Sequence, residues 1–145
     1  MPTAAERPWH FVPVGIIALL WYAAGALDYL LTQIAFAPYL DQVPPEWLAY
    51  FDAMPTWVTA AWALGVWGGL LGAVLMVMRE HWAPLALAVS FAAVLAATLW
   101  LMLLAQPPMQ EAIGVEFTAV MIGATVFALL IWLYARWMRR ENVIT

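Results

Sequence analysis

The sequence predicts an all-α integral membrane protein: a four-helix bundle running up, down, up and down, with a short interfacial helix between the first two spans. Three observations predict it. The 145 residues are 67% hydrophobic and only 10% charged, with a mean hydropathy of +0.88; a soluble domain is roughly 45–50% apolar and about 25% charged. Four separate stretches are apolar for long enough to cross a hydrocarbon core about 30 Å thick, which takes roughly 20 helical residues. None of the four alternates with the period of two that the strands of a membrane barrel require.

The first span runs from about Phe11 to Ala37, interrupted by one charge at Asp28. It is too long for a secretory signal, has no strongly basic leader and is followed by three more spans, so it is expected to be retained. In the loop that follows, Pro44 and Pro45 suit a helix start, and Trp47, Leu48, Phe51 and Met54 recur at helical spacing before Pro55. A helix over about 44–54, acidic on one face through Glu46 and Asp52, would lie on the outer membrane surface. The alternative is an irregular loop pinned by Trp47. The second span, about Trp57 to Met78, carries no charge. Arg79, Glu80 and His81 make a tight turn into the third, about Ala83 to Leu104, with Pro84 in its first turn. Gln106, Pro107 and Pro108 break the chain before the fourth, about Ile113 to Ala135, which has Glu116 near its start. The whole chain, 1–145, reads as one transmembrane domain whose short connections make consecutive helices antiparallel neighbours.

The arginines give the direction. Arg7 precedes the first span, Arg79 lies between the second and third, and Arg136, Arg139 and Arg140 follow the fourth. The other two loops hold Asp41, Glu46, Asp52 and Glu111 but no basic residue. The positive-inside rule therefore puts all five arginines and both termini on the cytoplasmic side.

Composition also excludes function classes. Nine acidic and five basic residues could not cover the surface of a water-soluble enzyme this apolar. A nucleic-acid binder needs a basic face, and a chain with no Lys and net charge −4 has none. With no Cys, disulfides, thiolate metal sites and cysteine nucleophiles are absent. Ser90 is the sole serine, it sits in no nucleophile motif, and no cluster of metal ligands occurs. The chain is read as a non-enzyme with no cofactor and no metal.

Between helices in lipid, close backbone approach matters more than burial of apolar surface. The second span carries Ala61, Gly65, Gly69 and Ala73 at four-residue spacing, with Gly68 and Gly72 in a row beside them. That span is expected to be the most buried. Its small residues serve either packing inside one bundle or a dimerisation face. No internal repeat relates the two halves, so an inverted-repeat transporter has no support. Trp9, Trp47, Trp57, Trp82 and Trp137 fall at span ends, where indoles prefer the headgroup zone. Trp21, Trp62, Trp67, Trp100 and Trp132 lie within spans and either pack there or line a hydrophobic ligand pocket.

A charge inside a span is costly and marks a candidate site. Asp28 lies 17 residues beyond Phe11, about 25 Å along the helix, near the outer boundary of the core. Glu116 enters the fourth span from the same side, Thr32, Gln33 and Thr118 stand at similar depth, and no Lys, Arg or His lies within a span to neutralise either acid. Asp28 is thus a candidate proton carrier; alternatively it reaches outer water or a Tyr or Thr hydroxyl. His10, beside Trp9 and Phe11 at the cytoplasmic edge, is a weak candidate ligand for haem or a pigment metal. A solvated imidazole is the simpler reading, since haem binding would call for a pair of buried histidines on facing helices.

Trp21 with Gly25, Pro55-Thr56-Trp57, Gly68-Gly69, the Arg79…His81-Trp82-Ala83-Pro84 turn and Tyr134-Ala135-Arg136 together form a pattern. In these residues the chain resembles a family of small bacterial four-span proteins that commonly carry the label sugar transporter. The resemblance covers nearly the whole chain and implies the four-span fold and a role in transport.

These readings converge on a non-enzymatic inner-membrane protein, an accessory or scaffold subunit or a binder of lipid or a small hydrophobic ligand. Its partners are membrane lipids and either further copies of itself or a larger membrane complex. The rival is a small proton-coupled transporter using Asp28. A pigment or haem subunit anchored by His10 is a third possibility.

Overall fold

The computed structural model describes residues 5–145; residues 1–4 of the expected single domain lie outside them. The described residues form seven helical segments and no strand: α1 (Phe11–Gln33), α2 (Ala37–Leu40), α3 (Pro45–Asp52), α4 (Thr56–Val77), α5 (Ala83–Leu103), α6 (Met109–Ala112) and α7 (Val115–Arg140). Four of them, α1, α4, α5 and α7, are long and apolar enough to cross a membrane. The protein is a multi-pass membrane protein built as a helical bundle.

Three of the helix ends are set by a backbone motif. After α1, Ala35 takes the left-handed conformation (φ 51), its N–H bonds to the Thr32 carbonyl, and the Phe36 N–H reaches back to Leu31. Arg79 (φ 67) after α4 and Asn142 (φ 57) after α7 repeat the pattern, with Glu80 bonding to Leu75 and Val143 to Met138. These are Schellman motifs without their usual glycine. The first stops α1 at Gln33, four residues short of the expected Ala37, and frees the chain to form α2. At the other end of the bundle α7 runs on to Arg140, five residues past Ala135, because its last turn is polar but unbroken.

In cross-section α4 lies between α1 and α5, and α5 between α4 and α7. The seam between α1 and α7 is closed by long side chains, Trp21 and Tyr22 against Phe127 and His10 against Tyr134. Small residues line many of the helix contacts, and many large aliphatic ones lie outside. Gly15, Ala18, Ala26, Gly65, Gly69, Gly72, Ala73, Ala93 and Ala97 face inward, while Ile17, Leu20, Leu71, Leu103 and Leu130 face out, each more than half exposed. That is what a lipid solvent favours: no gain from hiding large apolar groups, and close packing where small ones let backbones meet. The most buried span is α5, with 33% of its central window inside against 28% for α4. The expectation for the second span is corrected here, because α5 buries Leu87, Ser90, Thr98 and Leu101 as well as Ala83, Ala93 and Ala97.

The helix read over 44–54 forms as α3. Its apolar face turns onto the bundle: Trp47 and Phe51 meet Phe117 edge-on and tilted at 5.2 and 5.6 Å, and Tyr50 and Met54 join the same cluster around Val58, Leu101, Met109 and Ile113. At the opposite end the C-terminal residues Val143 and Ile144 fold back and are buried with Phe11 and Met138. Arg79 ties that end together, donating from Nε to the Val143 carbonyl and from Nη2 to the Ala5 carbonyl at 2.7 Å, while its own carbonyl accepts from Thr145 at 3.0 Å.

Candidate functional site

The expected polar site is partly assembled. Asp28 is half-buried on the C-terminal half of α1. The turn at Ala35 swings α2 back along α1, so the Tyr39 hydroxyl donates a hydrogen bond to Asp28 Oδ1. Thr32, one turn on, donates to the Asp28 backbone carbonyl at 2.8 Å. Tyr39 pays for its position in acidity: donating to a carboxylate, with some burial, pushes its phenol up to about 12. Gln33 is exposed. Glu116 is exposed too, in the first turn of α7, where a negative charge suits the helix dipole. Asp28 and Thr32 therefore come together, with Tyr39 as the partner that sequence reasoning missed; Glu116 and Gln33 stay apart from them.

The middle of the bundle is held by a residue with no periodic signal. Tyr22 is 3% exposed and lies across α4 so closely that a methyl at Gly69 would come within 2.0 Å of its ring. Its hydroxyl is buried without a partner in hydrogen-bonding geometry, with Ser90 as its polar neighbour. The Ser90 hydroxyl itself donates to the Gly65 carbonyl at 2.6 Å. The glycine row splits between neighbours: Gly69 meets α1, whereas Gly65 and Gly72 meet Val94 and Leu87 of α5. Seven residues turn a helix through nearly two full revolutions, so Gly65 and Gly72 share a direction that Gly69 does not. Ala73 is buried, and Ala61 packs into the cluster around Val58 and Met109.

At the arginine end His10 is engaged on three sides. Its Nδ1 lies 2.7 Å from the Tyr134 hydroxyl, its ring stacks on Trp137 at 5.5 Å and 13°, and Trp9 meets it edge-on. His81 is exposed in the α4–α5 turn against Trp82. Among the described residues no three His, Cys, Asp or Glu side chains are grouped to hold a metal. The hydroxyls of Thr32, Ser90, Thr118 and Thr125 all donate to backbone carbonyls, and Thr98 meets Thr125 at 3.0 Å across α5 and α7.

No protein-family model matches the chain, and neither a curated protein nor a solved structure is significantly similar to it.

Proposed function

We propose that this chain is a non-enzymatic component of a bacterial inner membrane, both termini cytoplasmic, acting as an accessory or scaffold subunit or as a binder of lipid or a small hydrophobic ligand. The observation that carries this reading is the filled centre: the Tyr22 ring on Gly69, Phe127 against Tyr22, and Val94 and Leu87 against Gly65 and Gly72 occupy the level where a solute path would run. The hydroxyls of Thr32, Ser90, Thr118 and Thr125 are bonded to backbone carbonyls. What the bundle offers is its outer surface, rich in exposed Leu, Ile, Val and Trp. Purification in mild detergent followed by mass measurement tests the reading. The expected result is a self-associated species or a complex carrying a partner or bound lipid; a bare, partnerless monomer overturns it.

One observation favours a second reading. Asp28 is a carboxylate inside a span with a tyrosine, not a cation, as its partner, which suits a small proton-coupled transporter and agrees with the transport role that the family resemblance implies. On this reading Asp28→Asn abolishes proton-driven uptake in proteoliposomes while the bundle stays folded; unchanged uptake removes it.

A further inference from the structure

A groove about 540 Å³ in volume opens between the start of α5 and the end of α7. Its floor is apolar, made by Pro84, Leu85, Ala88 and Trp132, and its rim is Arg136, Arg139 and Arg140. The spacing explains the rim: residues three and four apart on a helix share a face, so the three guanidiniums stand over the same opening. Trp132 organises both parts. Its indole stacks on Phe91 of α5 at 5.6 Å and 15°, and the Arg136 guanidinium sits over the ring, 5.1 Å from its centroid. A cation held over an aromatic face is fixed in place without being neutralised. The acids at this end of the bundle, Glu6, Glu80 and Glu141, do not line the groove. Arg79, by contrast, is occupied with backbone carbonyls.

We infer that this groove binds one anionic phospholipid, its phosphodiester headgroup on Arg136, Arg139 and Arg140 and the upper part of an acyl chain along Leu85, Ala88 and Trp132. Charge complementarity selects the headgroup, because three guanidiniums with no acid among the groove's lining residues, at the level of the headgroups, match a phosphate and disfavour a zwitterion's ammonium. Arginine suits the task through its planar, bidentate donors. Continuity of the apolar floor with the exposed face of α5, where Val89 follows Leu85 one turn deeper, selects a lipid over free phosphate. The volume lies within the range of small-molecule sites. This goes beyond the function proposed above by fixing the site and the class of lipid. It rests on that reading only in expecting the arginine end to meet headgroups.

The test uses the full chain in nanodiscs of phosphatidylcholine doped with phosphatidylglycerol or cardiolipin, followed by native mass spectrometry of the lipids retained on release. Each arginine near an anionic headgroup is worth about fivefold in affinity. Wild type is therefore expected to prefer the anionic lipid by about a hundredfold, R136Q to lose about fivefold, and R136Q/R139Q/R140Q to lose the preference. The triple lysine variant should keep most of it. Arg7→Gln, an exposed charge at the same end but outside the groove, should leave it intact. An unchanged preference in the triple glutamine variant overturns the assignment, as does an equal loss in R7Q, which would make the effect one of diffuse charge. Full displacement of the lipid by millimolar inorganic phosphate would also overturn it, making the site one for free phosphate. Both leaflets of a nanodisc have the same composition, so the experiment is blind to orientation, and its failure leaves the cytoplasmic placement of the termini standing.

Discussion

Gly69→Ala probes the closest approach in the bundle. A methyl group there would stand 2.0, 2.2 and 2.6 Å from three ring carbons of Tyr22, whereas nine in ten ordinary contacts of this kind exceed 3.4 Å. Restoring 3.4 Å needs a displacement of 3.4 − 2.0 = 1.4 Å. The ring is 3% exposed and edge-on to Phe127, so it cannot swing away without parting α1 from α4. Overpacking a well-filled interior costs about 1–3 kcal/mol. A shift this large in a ring this confined belongs at the upper end, about 3 kcal/mol, against a total stability of about 5–15 kcal/mol. Gly68 is the internal control. A methyl there meets Ser90 at 3.8 Å, an ordinary contact, so Gly68→Ala should lie within about 1 kcal/mol of wild type, on the stable side because alanine favours the helix. Unfolding by sodium dodecyl sulfate in mixed micelles, followed by far-ultraviolet circular dichroism, reads both. In a Tyr22→Ala background the cost of Gly69→Ala should fall to about that of Gly68→Ala, since contacting residues couple. Equal stability of the two alanine variants, or an undiminished cost in that background, would refute the packing argument.

Tyr39 gives a pH-dependent signature. Its folded-state phenol is held near 12, above the ordinary value of 10.0. Stability from the bond to Asp28 should therefore be whole below pH 10 and drain away as pH rises through about 12. Absorbance at 295 nm should show tyrosine ionisation near pH 12 whose midpoint moves back towards 10 in Asp28→Asn. Arg79→Gln should cost about 2 kcal/mol, the range for hydrogen bonds from a charged donor, and carboxypeptidase should then remove the C-terminal residues several-fold faster.

The four spans were legible because each is an apolar run closed by proline or charge, and that signal needs no tertiary knowledge. Helix ends were less so. A left-handed C-terminal residue is usually announced by glycine, yet here the position is filled by Ala35, Arg79 and Asn142, so nothing in the local sequence marks Gln33 as the end of α1. The Asp28–Tyr39 pair followed from that miss, since only the turn at Ala35 brings Tyr39 back over 11 residues. Four-residue helices such as α2 and α6 are too short to show a period. For α3 the amphipathic face was readable but its direction was not: the same residues that would rest on a membrane surface find Phe117 and Met109 instead. The small-residue rows announced close packing without saying against which helix, which depends on drift between 3.6 residues per turn and a spacing of four.

The central claim is that four helices cross a membrane with all five arginines on its cytoplasmic side. The chain has no cysteine, so single cysteines report position without background. Labelling His81→Cys, Gln42→Cys and Gln110→Cys with an impermeant maleimide, in intact cells and after permeabilisation, tests it most directly. Gln42→Cys and Gln110→Cys should label in intact cells and His81→Cys only once the membrane is opened. Labelling of His81→Cys from outside, or all three sites reacting alike, would contradict the account.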